Sequence, residues 1–205
     1  MHLSEKTVDK EVVFEGRIIT VRKDKAELED GSVVGRELVI HSGGVCVVPL
    51  TNDNKVIMVR QFRYAFGEPL LEIPAGKLEK GEEHRSAALR ELEEETGAHC
   101  GRFEYLGVCY PSVAYLTEKI HMYLARDLEF GSSHTDAGEF LDVLEVPLDE
   151  AVQMVMDGKI PDAKTQIALL KTAYPSICHS IWENICFAFS SFCTRIGESC
   201  ISFTR

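Results

Sequence analysis

The chain has 205 residues, with 33 acidic against 22 basic side chains, a net charge of −11 and seven cysteines. That length admits one sizeable core with appendages, and the acidic balance without a Lys/Arg block excludes nucleic acid or an anionic membrane surface as the main partner. An odd cysteine count without a repeated CxxC excludes a disulfide framework or a zinc site, and MHLSEKTVDKEVV lacks the basic-then-apolar pattern of a secretory signal, so a reducing cytoplasm is expected.

Residues 11–40 alternate as strands do: Val12-Val13-Phe14, then Ile18-Ile19-Thr20-Val21, then Val33 to Ile40, with a hairpin turn at Asp30-Gly31. They predict a small antiparallel sheet ahead of the main domain. From Gly43 onward, GGVCVVPL and KVIMVRQF read as strong strands separated by the turn Thr51-Asn52-Asp53-Asn54. The EIPAG segment follows and leads into a helix.

That helix is predicted over Ser86–Thr96, a stretch of good helix formers with Gly97 as its C-terminal stop. Glu91, Glu94 and Glu95 fall on one face because i, i+3 and i+4 are neighbours. Leu89 and Leu92 lie on an adjoining face suited to a core, and Glu93 points to solvent. Three carboxylates on one face repel one another unless a positive charge sits among them. Hard divalent cations want oxygen ligands, and Mg²⁺ bridges a few carboxylates to substrate phosphates. Arg90 and Glu94 form an i, i+4 pair, so the guanidinium can hold that carboxylate in place.

Further strands are predicted near residues 102–110, 119–125 and 140–146, and amphipathic helices at Pro147–Gly158 and Ala163–Ala173. Strands mixed with a few helices, without regular βαβ alternation, indicate an α+β or mixed α/β sandwich. After Pro175 the composition shifts to Cys, Phe and Ile. Ile177, Ile181, Ile185, Phe189, Phe192 and Ile196 keep helical spacing, but Glu183, Asn184 and several serines interrupt a stretch too short to span a bilayer. Cys46, Cys100 and Cys109 read as core or half-buried thiols. His41, His99, His121 and His134 receive no role.

Gly76 to Ala98 reads as Gly76, five residues, Glu82, seven residues, Arg90-Glu91-Leu92, one residue, Glu94-Glu95, one residue, Gly97. This pattern resembles the Nudix box of hydrolases that cut a diphosphate linked to another group. One position departs from it: Ala98 stands where the family usually carries a bulkier apolar residue. RQFRYAFGEPLLEIPAGKLEKGE, YPSVAYLTEKIHMYLA, DAGEFLDVLEVPLDEA and IPDAKTQIALL are similar to the ADP-ribose pyrophosphatase branch, so the resemblance covers roughly residues 10–172. It implies a helix–sheet–helix Nudix sandwich over 43–173, N-terminal strands over 1–42 that dimerise, and a tail over 174–205 that matches nothing in the family.

The resemblance also implies site residues. The carbonyl of Ala75 and the side chains of Glu91 and Glu95 are the expected metal ligands, with Glu94 contributing directly or through water. Gly76, Glu82 and Arg90 support the site. Glu139 in the DAGEF loop and Glu118 in LTEK compete for the base that activates water. Arg63 is placed to grip phosphate, since a guanidinium fork matches phosphate oxygens. Arg36 and Glu37 match a region that grips adenine or the terminal ribose, where some relatives carry a stacking aromatic residue and this chain has Arg36.

The function so implied is Mg²⁺-dependent hydrolysis of ADP-ribose to AMP and ribose 5-phosphate, with Mn²⁺ able to substitute, by a cytoplasmic homodimer. The alternatives are another nucleoside diphosphate sugar, such as ADP-glucose or GDP-mannose, and a non-catalytic Nudix domain that senses ADP-ribose-like ligands.

Overall fold

The computed structural model describes residues 3–131 and 140–174. Glu139, His134 and the tail from Pro175 onward lie outside the described residues. The N-terminal elements are β1 (Lys6–Glu15), β2 (Ile19–Glu27) and β3 (Val33–His41), paired antiparallel in that order. The first strand thus begins well before residue 11. The turn from β2 to β3 uses Gly31 at φ +82, and Asp30 Oδ1 accepts from the Ser32 backbone N–H at 2.9 Å. This fits the Asp-Gly turn signal.

The main body contains β4 (Gly44–Pro49), β5 (Lys55–Arg63), β6 (Glu68–Glu72), β7 (Ala75–Lys77) and α1 (His84–Thr96). They are followed by β8 (Ala98–Cys109), β9 (Ile120–Phe130), β10 (Leu141–Pro147), α2 (Leu148–Met156) and α3 (Ala163–Ala173). One sheet runs β7-β4-β9-β8, with β4 and β9 parallel, and a second runs β10-β5-β6. EIPAG therefore spans the end of one strand, a crossing and the start of a short one.

Every residue of β4 is buried, and its two faces feed different cores. Val45 and Val47 pack with Ala87, Ala88 and Leu92 of α1. Cys46 and Val48 pack with Val152 and Val155 of α2 and Ala168 and Leu169 of α3. Alternation at period two explains how one strand serves both layers, and the result is the expected helix–sheet–helix sandwich. Ala98 is buried in the α1 core, so the small residue at the end of the box still packs inward.

Two expectations for α1 are corrected. The helix starts two residues before Ser86, because Glu83 caps it by accepting from the Ser86 N–H at 3.0 Å. Its core face is built from Ala87, Ala88 and Leu92, whereas Leu89 is only half-buried. Two alanines let the helix lie close to β4, which leaves Leu89 at the margin. Gly97 ends the helix as expected, at φ 69 with its N–H on the Glu93 carbonyl.

The N-terminal sheet is fastened to the body through β3. Val39 N–H donates to the Tyr115 carbonyl at 2.8 Å and Thr117 N–H to the Val39 carbonyl at 3.0 Å.

Candidate active site

Glu91 projects from α1 against the backbone of β7. A Cβ built on Gly76 would lie 1.9 Å from the Glu91 carboxyl carbon, so only glycine lets this carboxylate sit beside the Ala75–Gly76 peptide. Glu95, one turn along, is buried, and it accepts from the Ala75 N–H at 3.1 Å. The two carboxylates thus bracket residue 75 from the helix side.

Arg90 gathers three acids. Its Nε and Nη2 donate to the two oxygens of Glu82 at 3.0 and 3.1 Å, and Nη1 donates to Glu91 at 2.9 Å and Glu94 at 2.8 Å. The Glu82 hydrogen bond, opposed by burial and aided by Glu91 and Glu94, raises the Arg90 pKa well above the ordinary guanidinium value. Glu82 is in turn held below the usual carboxylate range by Arg90. The box arginine thereby relieves the repulsion within the acidic face and fastens the Glu82 loop to the helix.

A cavity of about 640 Å³ opens onto this face and is lined by Ala75, Gly76 and Glu91 together with Arg63, Glu72, Glu118 and Lys164. Glu72 is buried at the end of β6. It receives Arg63 Nε at 2.5 Å and Nη2 at 2.7 Å, and Lys164 Nζ at 2.5 Å. Burial works to raise the Glu72 pKa, but Arg63 and Lys164 together bring it below the ordinary value. Lys164 is desolvated, which would lower its pKa, yet Asp162 and Glu72 hold it above the usual value. Asp162 Oδ2 also caps the start of α3, accepting from Thr165 N–H at 3.0 Å, while Thr165 Oγ1 accepts from Ile73 N–H at 3.1 Å. Two cations therefore stand at the cavity wall, each anchored by a buried acid.

Glu72, Asp162 and Lys164 carried no assignment in the sequence, although EIPAG and DAKT contain them. Their pairing links residues that are 92 positions apart, Lys164 and Glu72, and only the fold brings them together.

The structure brings Arg63, Ala75, Gly76, Glu91 and Glu118 to one cavity, with Glu82, Arg90, Glu94 and Glu95 bound to that group from behind. Glu118 Oε1 lies 3.4 Å from His41 Nδ1, and that nitrogen accepts from the Gly43 N–H at 3.1 Å. Arg36 and Glu37 sit on β3 and are not among the residues lining the cavity of the single chain. Arg36 instead pairs with Glu5, at 2.9 Å from Nε and 2.7 Å from Nη2. Adjacent strand residues face opposite ways, and Arg36 is half-buried while Glu37 is exposed.

Among the described residues no three acidic, imidazole or thiolate groups converge at one point as a metal cluster. The carboxylates of Glu82, Glu91 and Glu94 turn toward Arg90 instead. The donor set is nonetheless all-oxygen and anionic, and the Gly76 cradle leaves room for a carboxylate beside the Ala75 peptide. Those properties suit a hard divalent cation.

Among the described residues no helix is long and apolar enough to cross a membrane. The NUDIX domain family matches residues 41–169, and the nucleoside diphosphate sugar hydrolase N-terminal domain matches residues 5–39. A relative from Bacillus methanolicus, titled methanol dehydrogenase activator, is 44% identical over 80% of this chain and 90% of its own length. A relative from Bacillus subtilis (strain 168), titled ADP-ribose pyrophosphatase, is 41% identical over 82% of this chain and 91% of its own. A solved structure described as an ADP compounds hydrolase superposes with a TM-score of 0.72 at 23% identity, over 84% of this chain and 95% of that one, a likeness of fold. With the box carboxylates set on α1 against the glycine cradle, these matches place the chain in the Nudix hydrolase family.

Proposed function

We propose that the chain hydrolyses the diphosphate bond of ADP-ribose, releasing AMP and ribose 5-phosphate. The observation that carries this reading is a single cavity shared by the box carboxylate face and the Arg63–Glu72–Lys164 lattice. One wall offers oxygen donors for a divalent cation, and another offers two cations for phosphate oxygens. The Bacillus subtilis relative, which carries the name ADP-ribose pyrophosphatase, supports the substrate.

The carbonyl of Ala75 and the carboxylates of Glu91 and Glu95, with Glu94, would hold Mg²⁺, which Mn²⁺ can replace. When bound, such a cation lowers the pKa of coordinated water and offsets negative charge developing on phosphorus. Arg63 presents its outer N–H groups to the diphosphate while Glu72 fixes the guanidinium plane. Lys164, anchored by the same acid, adds a second positive charge on the cavity side. Glu118, and Glu139 of the DAGEF segment, are the two carboxylates suited to accept a proton from the attacking water. Arg90 keeps Glu82, Glu91 and Glu94 in register without entering the reaction.

The working unit is a homodimer. All ten residues of β1 are exposed, and Val12, Val13, Phe14 and Ile18 each leave more than half of their surface to solvent in the single chain. A three-stranded sheet with one long open edge and an apolar surface is a template for a second copy. Residues 1–42 then serve as dimerising strands and 43–173 as the hydrolase domain, with 174–205 a C-terminal tail to which no role is assigned. In the dimer, Arg36 and Glu37 reach substrate held in the other copy's cavity. Free Cys46, Cys100 and Cys109 favour a reducing cytoplasm.

A substrate panel tests the reading: ADP-ribose, ADP-glucose, GDP-mannose and a nucleoside triphosphate, each with Mg²⁺ and phosphate-coupled detection. ADP-ribose is expected to give the highest kcat/KM. A preference for the triphosphate over every diphosphate sugar would overturn it. Ligand binding by calorimetry with no turnover in either metal would make the chain a sensor instead.

A further inference from the structure

Arg63 and Lys164 account for the polar side of the cavity, but its lining also includes the apolar side chains of Phe66 and Leu70. Phe66 lies in the turn that joins β5 to β6. The Arg63 carbonyl accepts from the N–H groups of both Phe66 and Gly67, each at 2.9 Å. Gly67 closes that turn at φ +71, a conformation that favours glycine. Residues 63 and 66 are therefore the first and fourth positions of a tight turn, with Cα atoms within about 7 Å. Leu70 stands across from Gln61 in the register of β5 and β6, on the same face as Arg63.

Phe66 is 73% exposed. An exposed apolar residue alone says little. This one is held by a closed turn at the mouth of a charged cavity, three residues from its arginine. Among the described residues no other ring stacks on it. In a nucleotide, a flat apolar base is joined to a phosphate through one ribose. The turn brings the residue that carries the ring and the residue that carries the guanidinium to the lining of one cavity.

We propose that Phe66 is the platform on which the nucleobase of the substrate stacks, so that the cavity selects nucleotide-bearing diphosphates over diphosphates without a base. This rests on the reading of the cavity as the diphosphate site. Stacking is tolerant of base identity, because every base has a π face. The ring therefore contributes affinity for nucleotides as a class, while the edges of the base are left to other groups.

Calorimetry on the full chain in Mg²⁺ provides the test, with AMP as the base-bearing probe and inorganic pyrophosphate as the base-free one. Phe66→Ala should weaken AMP about tenfold, equivalent to about 1.4 kcal/mol, and leave pyrophosphate unchanged. KM for ADP-ribose should rise by the same factor with kcat little altered, and Phe66→Trp should restore both. Equal AMP affinity in wild type and Phe66→Ala overturns the proposal. So does an equal loss for both probes, which would make the ring a general support of the pocket. Light scattering on the same variants guards the remaining route: a changed subunit number would assign Phe66 to an assembly contact and defeat the proposal. Should the wild-type chain turn over no diphosphate sugar, the proposed hydrolysis fails, while the AMP comparison still decides Phe66.

Discussion

Gly76 and Glu91 are separated by less than the width of one methyl group: a Cβ on residue 76 would lie 1.9 Å from the Glu91 carboxyl carbon. The box glycine is thus required by a side chain of α1 rather than by a turn of its own backbone, since its φ is not among the positive values. Glu91 is also tied to Arg90 at 2.9 Å, so it cannot yield without loosening the acidic face.

Gly76→Ala is therefore expected to push Glu91 away from the Ala75 carbonyl. Overpacking of this kind costs about 1–3 kcal/mol of stability, which a 23 kDa-class fold with two cores should survive. The kinetic cost should be larger: kcat falls at least about tenfold and the Mg²⁺ needed for half-maximal rate rises. Denaturant titration with metal-dependent kinetics checks both, and an unchanged Mg²⁺ requirement would refute the displacement.

What the sequence made legible follows from how local each signal is. The face shared by Glu91, Glu94 and Glu95 is set by helix period alone, and α1 places all three as that period requires. The strands were visible through alternation, and β4 was visible as an unbroken apolar run because both its faces are buried. The Arg63–Glu72–Lys164 lattice was not visible, because its partners come from β5, β6 and α3, elements distant in sequence that only the tertiary fold brings together, and no local pattern encodes that approach. The N-cap at Glu83 was missed for a different reason: glutamate is a weak capping residue by propensity, and Ser86 offered a better-looking start.

Glu95→Gln separates chemistry from folding. The amide keeps an oxygen that can accept the Ala75 N–H, at 3.1 Å in the native chain, so melting behaviour should change little. It removes the ligand charge, and kcat is expected to fall by about 10²-fold or more. A near-wild-type kcat at saturating Mg²⁺ would show that the buried carboxylate is structural.

Acid sensitivity should trace to His121 on β9, which stacks on His84 at the start of α1. His121 and His84 stack with ring centroids 4.0 Å apart and planes 2° from parallel. Tyr105 OH lies 2.9 Å from His121 Nδ1, and Tyr123 OH contacts His84 Nδ1. Burial first, then the charges of His84 and Lys119, hold the His121 pKa below its ordinary 6.5, with Glu83 opposing. As pH falls through about 6.5 the unfolded chain takes up this proton before the folded one does. The associated stability is complete above that pH and declines below it, until the folded state is protonated too. His121→Gln should therefore flatten the fall in Tm between pH 7.5 and 5.5; an unaltered slope would locate the sensitivity elsewhere.

The last prediction concerns whose Arg36 serves which cavity. In the single chain Arg36 is paired with Glu5, just before β1, and does not line the cavity beside Glu91. Mixing an Arg36→Ala chain with a Glu95→Gln chain distinguishes a site shared between subunits from one built in cis. In a shared site, the mixed dimer combines the native α1 of the first chain with the native β3 of the second, and one of its two sites is whole. The other site carries both defects. Random association makes half of the dimers mixed, so activity should recover to roughly a quarter of wild type. If each chain completes its own site, every site in every dimer carries one defect, and the mixture should do no better than the average of its two components. Light scattering must come first: a strict monomer at assay concentration would end the shared-site reading before any mixing is done.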